Sequence, residues 1–487
     1  MKNKRDIITF ILIFILAIIS TIFFLKPHYS IDTIEFLTNG YKSYINSKFL
    51  VDGRIFSAIL LKIVIDFPMK YVLPISYILG ILISCFSVMV VRKWIIKKIN
   101  SESKRNIFPT IIAYVIIFNF MYIDIIQFVE FPIIALSNLL FIISAQILVE
   151  KKKKYILKSG LLVLIAMFCY QGTINVFIST VFILSIIENK KINKTVILDI
   201  LKMIVLLSFA LITNYIFTEI VGGTSRINFN IIDNIKNTLI DLILIIFNSG
   251  KHYPAFLQLI IILIITTYCL IKKYSIINLI YIYVVCVCSN IIVLLITAES
   301  PAMVISQNGR IFISVGSIIG YMFMYIWCCY EEIKEYKFIK TIAIIYFITL
   351  LITYIQYTYM YMQGQWIDEY IIHNIDKVIS EYENQTGNTI TKYTYTISFD
   401  NYQKLESHII LKKQYTERNC LTIQKARMST AGITDVLFWE YANRKIERIF
   451  LEENWKEKYF KNIDFSELEL FDNKRFVFEG DTVYIVL

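Results

Sequence analysis

The side chains best suited to chemistry appear early in the chain. Asp32 and Glu35 lie three apart in SIDTIEF, soon after a long apolar run. On a helix that spacing puts both carboxylates on one face. A carboxylate there could take a proton from an attacking hydroxyl. Ordinary solvated loop acids would give the same pattern. Asp52-Gly53-Arg54 follows, with Gly53 free to make a turn and Arg54 opening the next apolar stretch. A guanidinium fork suits the oxygens of a phosphate or diphosphate. Arg310, in QNGR, and Arg226, in GGTSR, are two further cations of this kind next to apolar segments. Snorkelling at a membrane interface is the plain alternative for all three.

Other polar groups interrupt apolar sequence. Asp124 and Glu130 flank a turn in MYIDIIQFVEF. Acids in so apolar a context are costly unless wet or paired. Together with Asp32 they could bind a divalent cation, the one candidate cofactor. Tyr170-Gln171-Gly172 and Asn175 form a polar notch that would line a cavity or mark a break in helix packing. The four histidines, His28, His252, His373 and His408, lack metal-ligand spacing, and the eight cysteines show no disulfide or zinc pattern. No P-loop, GxSxG elbow or nucleic-acid motif is present.

The elements that must carry these residues follow from composition. Of 487 residues, 57% are hydrophobic and 18% charged, with a mean hydropathy of +0.61. A water-soluble chain of this length could not hide that much apolar surface, so a polytopic membrane protein is expected. The net charge is +11, yet residues 361–487 hold 16 Lys and Arg against 20 Asp and Glu. The positive excess therefore belongs to short loops between apolar segments, and a nucleic-acid partner is not expected.

Apolar runs predict about eleven spans, at 7–25, 71–91, 107–123, 131–149, 155–170, 173–188, 196–221, 254–271, 276–297, 311–330 and 339–361. The first reads as an uncleaved signal anchor. Loops such as RKWIIKKINSESKR, KKKK and NKKINK put the N-terminus in the cytoplasm by the positive-inside rule. An odd number of spans then puts the tail outside. The expected organisation is a membrane domain over 1–361, with an outer loop at 26–54 and an interfacial helix at 55–70. In that helix Phe56, Ile59, Leu60, Ile63 and Phe67 recur at helical spacing. Residues 362–487 mix helical stretches with strand-like runs (TKYTYTISF, RFVFEGDTVYIVL) and predict a small extracytoplasmic α/β domain.

The order of features resembles membrane glycosyltransferases of the GT-C superfamily. It looks most like the Gtr-type glucosyltransferases that decorate bacterial surface polysaccharides. The residues that carry the likeness are the loop acids Asp32 and Glu35, the Asp52-Gly53-Arg54-Ile55 element that opens a surface helix, and the mid-chain Tyr170-Gln171-Gly172-Thr173 with Asn175. The family's paired aspartates are absent, since Thr33 follows Asp32. The resemblance covers 1–361, and the tail matches by position only.

The resemblance implies an inverting transferase in the bacterial cell membrane. It would move a sugar such as glucose from a polyprenyl-phosphate donor to a glycan or lipid-linked acceptor at the outer interface. Asp32 and Glu35 would serve the acceptor hydroxyl, and Arg54, Arg310 and Arg226 the donor phosphate. Asp52, Asp124, Glu130, Tyr170 and Gln171 would line the cavity. Two other readings stay open: a polymerase or ligase acting on undecaprenyl-diphosphate glycans, and a flippase for lipid-linked sugars. The first usually carries its large outer loop in mid-chain. The second predicts charges at mid-membrane and related halves.

Overall fold

The computed structural model describes residues 4–50, 52–99, 107–151, 153–221, 255–272, 274–296, 313–330, 337–396, 435–449, 454–461, 463–465 and 468–487, with the single positions 232 and 236. It is mostly helical, with a small sheet near the C-terminus. In chain order the helices are α1 (Lys4–Ser20), α2 (Ile31–Tyr44), α3 (Ile55–Val64), α4 (Met69–Lys97), α5 (Phe108–Ile117), α6 (Phe131–Glu150), α7 (Tyr155–Cys169), α8 (Ile174–Asn189), α9 (Lys194–Val221), α10 (Ala255–Ile271), α11 (Ile276–Ile296), α12 (Ile313–Gly316), α13 (Ile318–Cys329), α14 (Lys337–Thr386), α15 (Asp435–Ala442) and α16 (Trp455–Tyr459). Internal contacts divide the chain into two units. The first holds Met1–Pro27 and Tyr41–Thr358; the second holds His28–Gly40 with Tyr359–Arg418 and Thr422–Leu487.

Among the described residues, five helices are long and apolar enough to cross a membrane: Met69–Lys97, Phe131–Glu150, Gln171–Asn189, Lys194–Val221 and Lys337–Thr386. Several long apolar helices are what a membrane protein requires. Other segments expected as spans are shorter. α1 has 17 residues, α5 has 10 and α7 has 15. The reason is clearest after α5. The Asn119 side chain accepts from the backbone N–H of Met121 (3.0 Å) and Tyr122 (3.2 Å), and the Tyr354 hydroxyl donates to the Asn119 carbonyl (2.8 Å). These bonds replace helical ones, so the segment expected as a span over 107–123 is a helix to Ile117 followed by a buried turn. Backbone off the helix at such depth survives only where side chains satisfy it. The expected span over 311–330 is described from Ile313 as α12 and α13, which meet at Ser317 with the helical bonds kept, Ser317 N–H to the Ile313 carbonyl (3.0 Å) and Tyr321 N–H to the Ser317 carbonyl (2.9 Å). There the Ser317 hydroxyl donates to the Ile116 carbonyl (2.8 Å) and accepts from Asn119 Nδ2 (2.9 Å).

In the first unit α8 is the centre: 89% of the most apolar stretch running to Asn189 is buried. α9 is peripheral, with 33% of its corresponding stretch buried and Leu201, Val205, Phe209, Ile212 and Ile216 exposed. α1 packs on α4 through Phe10 and Phe86, whose ring centroids are 4.8 Å apart, and through an ion pair between Asp6 and the buried Arg92 (3.0 Å). α3 turns Phe56, Ile59, Ile63 and Phe67 outward, the last three residues from its C-terminal end, and buries Ser57, Ala58 and Leu61.

The second unit contains the sheet. Its order is β2 (Glu447–Arg448), β1 (Lys392–Thr396), β4 (Thr482–Val486), β3 (Phe476–Glu479). β1 runs parallel to both of its neighbours, and β3 and β4 form an antiparallel hairpin closed at Gly480 (φ 60°) and Asp481. Tyr393 from β1 packs edge-on against Phe438 of α15, with centroids 5.0 Å apart. A separate cluster of Phe460, Tyr484 and Val486 takes in Trp455, Tyr459 and Phe465.

Candidate functional site

The Asp52-Gly53-Arg54 element and the Tyr170-Gln171 notch, 116 residues apart in the chain, come together in the first unit. The Arg54 guanidinium lies 4.7 Å over the centre of the Tyr170 ring. Its Nη2 meets the Asp52 carboxylate at 3.1 Å, and its Nε donates to Gln171 Oε1 at 3.4 Å. The Gln171 amide in turn donates to the Asp52 carbonyl, and to Asn214 Oδ1 at 3.3 Å. Asn214 Nδ2 donates back to the Gly53 carbonyl at 3.4 Å. Arg54 is thus held by an aromatic face, a carboxylate and an amide, an arrangement a Lys could not replicate.

Local sequence builds each part of this cluster. Gly53 has φ 68°, a left-handed conformation that glycine adopts without cost. A side chain there would also run into the Asn214 amide. The chain leaves α7 at Tyr170, which is extended (φ −163°, ψ 112°), and a short 3-10 turn over Gln171–Thr173 leads into α8. At the break the Tyr170 N–H keeps its helical bond to the Ala166 carbonyl (2.9 Å), and the Tyr170 carbonyl lies within reach of the Ser137 and Thr173 hydroxyls (both 3.1 Å). Ser57, on α3, donates to the Cys169 carbonyl at 3.4 Å.

The loop acids belong to the second unit. Asp32 and Glu35 both sit on α2, half-buried, on one helical face. Ser30 begins that helix by accepting from the Thr33 N–H (3.1 Å). Asp32 therefore lies in the first turn, where exposed backbone N–H groups favour a negative charge. Gly40 (φ 74°) kinks α2 toward its end.

The remaining expected site residues are placed as follows. Asp124 (0% exposed) and Glu130 (4%) lie in the buried turn between α5 and α6, where the Gln127 amide donates to Asp124 Oδ1 at 2.8 Å. Asp124 and Glu130 belong to the first unit and Asp32 to the second, and among the described residues no three His, Cys, Asp or Glu are grouped closely enough to hold a metal ion. Asn175 donates to Asn290 Oδ1 at 2.6 Å, inside the α8–α11 packing. His28 is buried against Tyr361, with ring centroids 6.4 Å apart. Arg226 and Arg310 lie outside the described residues, as do His252 and His408.

Sequence reasoning missed Asn214 and Tyr29. Asn214 is a polar residue in an apolar run, the same signal that singled out Gln171. Tyr29 carries no such signal. Its importance rests on partners more than 300 residues away, Tyr361, Gln365, Glu440 and Tyr441. Comparison with family models, curated proteins and solved structures finds no match to this chain.

Proposed function

We propose that this chain is an inverting glycosyltransferase of the cell membrane, moving a sugar from a polyprenyl-phosphate donor to a surface-glycan acceptor. The observation that carries this reading is the Arg54 cluster. A guanidinium fixed against Tyr170 by Asp52 and Gln171 is a preorganised partner for a leaving phosphate. It stands at the start of α3, whose outward Phe56, Ile59 and Ile63 suit contact with hydrocarbon. Asn214, on the exposed apolar helix α9, belongs to the same cluster. A polyprenyl chain needs an apolar wall beside a cationic contact for its phosphate, and this part of the first unit supplies both.

The proposed reaction is a single displacement. The acceptor hydroxyl oxygen attacks the anomeric carbon, and its proton passes to Asp32, with Glu35 assisting. The bond from that carbon to the phosphate oxygen breaks with inversion, and the phosphate leaves with its added charge held by Arg54. Arg310 and Arg226 are proposed as further cations for the donor. The eleven-span topology, with the N-terminus cytoplasmic and the tail outside, is part of the same proposal.

The test is transfer by the purified full chain from a radiolabelled polyprenyl-phosphate sugar to a lipid-linked glycan. Asp32→Asn should lose about 10²- to 10⁴-fold in kcat. Full activity in that variant would remove Asp32 from the mechanism. No transfer by the unmodified chain from any polyprenyl-phosphate sugar would remove the transferase reading.

A further inference from the structure

The two units of the chain are not built from two continuous pieces of sequence. The stretch that carries Asp32 and Glu35, His28–Gly40, belongs with the C-terminal portion. Tyr29, three residues before Asp32, is where the two meet within the second unit. Its backbone N–H donates to Gln365 Oε1 (3.1 Å), and its carbonyl accepts from Gln365 Nε2 (3.2 Å). One glutamine amide thereby imitates the paired bonds of a neighbouring strand. The Tyr361 hydroxyl donates to the same carbonyl (3.0 Å). The Tyr29 hydroxyl donates to Glu440 Oε2 at 2.6 Å, a short charge-assisted bond, and its ring meets Tyr441 edge-on at 5.8 Å. Tyr441 closes the set by donating to Gln365 Oε1 (3.1 Å).

The far side of this fastening is itself anchored. Glu440 and Tyr441 sit on α15, and just beyond it Arg444 reaches three residues of one α14 face. It pairs with Asp376, with both Glu383 oxygens (3.0 and 3.1 Å from Nη1) and with Ser380 Oγ (2.9 Å). Gln365 and Tyr361 stand on the same helix, α14. Tyr29, 1% exposed, is therefore gripped from two elements that are clamped to each other. Only two residues separate it from Asp32, with Ser30 starting the helix between them.

We infer that Tyr29 is a positioning residue for the acid-bearing helix, and that the C-terminal portion of the chain holds Asp32 and Glu35 in working orientation through the Tyr29–Glu440 and Tyr29–Gln365 contacts. The inference rests on the transferase reading for what the orientation accomplishes, and on hydrogen-bond geometry for the orientation itself. It gives the C-terminal domain a task in the reaction without placing it in contact with the sugar.

The experiment uses the full chain in detergent or nanodiscs and takes two readouts: amide exchange over 30–36, and kcat and donor KM for transfer. Tyr29→Phe removes one hydroxyl from a buried ring. It should speed exchange over 30–36 about tenfold and lower kcat about tenfold, with donor KM within about twofold of the parent. Glu440→Leu should do the same, and Glu440→Gln, whose carbonyl can still accept from Tyr29, should restore most of both. Unchanged exchange in Tyr29→Phe and Glu440→Leu overturns the fastening. Faster exchange with unchanged kcat overturns the positioning role. If the unmodified chain transfers no sugar while exchange responds as expected, the transferase reading falls and the fastening stands.

Discussion

The Asn214 amide occupies the space that a side chain on Gly53 would need. Gly53 has φ 68° as well, so the position excludes other residues twice, by conformation and by proximity. Gly53→Ala should destabilise the chain by about 1–3 kcal/mol and disturb the turn that presents Arg54. Thermal unfolding in detergent measures the first effect. Asn214→Ala in the same background should recover part of the loss by removing the clash, leaving the strain of the left-handed backbone.

Arg54 offers a sharper test, because charge and shape can be separated there. Arg54→Lys keeps the charge but cannot bridge Asp52 and Gln171 while lying flat on Tyr170. Under the proposed function it should raise donor KM about tenfold or more, and Arg54→Ala should raise it further. Steady-state kinetics against donor concentration decide this. Equal donor KM in all three proteins would move the phosphate site elsewhere.

Arg444 ties α15 to α14 through Asp376, Ser380 and Glu383. Arg444→Met keeps most of the volume and leaves two half-buried carboxylates without their guanidinium. A loss of about 2–4 kcal/mol is expected. It should appear as faster amide exchange across 435–449, with α8 unaffected.

Asp481, at the β3–β4 turn, is exposed. The Thr391 hydroxyl (2.7 Å) and the Lys392 ammonium (3.1 Å) hold its carboxyl down to about 2, from an ordinary value of 3.8. A lowered folded-state value means a contribution to stability that is complete above about pH 4 and is lost as pH falls toward 2. Asp481→Asn should therefore match the parent near pH 2 and fall behind it at neutral pH. Denaturant midpoints at the two pH values, followed by a probe on the sheet, give the comparison.

Particular residues show how far the sequence alone reaches. The helical character of the chain, the strands at 392–396 and 482–486, the helix at 55–64 and the polar notch at Tyr170-Gln171 were all legible, because each depends on local periodicity or on a polar group in an apolar run. The break after Ile117 was not. MYIDIIQF has the composition of a continuing helix, and only Asn119, Ser317 and Tyr354 acting together divert it. The partnership of Asp52 with Gln171, and of Tyr29 with Glu440, was hidden for a related reason. Contacts across 119 and 411 residues leave no pattern in either segment. Eleven apolar runs could be read from hydropathy, but a run becomes a long helix only if no side chain competes for its backbone, and that competition is decided by packing.

The outward face of α9 has a practical consequence. Leu201, Val205, Phe209, Ile212 and Ile216 point away from the bundle, and no described element covers them. Water is a poor solvent for such a wall, and acyl chains would suit it better. An extracted sample should stay dispersed only while an amphiphile belt about 30 Å tall, the thickness of a bilayer's hydrocarbon, encircles it. Stripping that belt should bring on precipitation well before the second unit, with its own sheet and clusters, loses its shape.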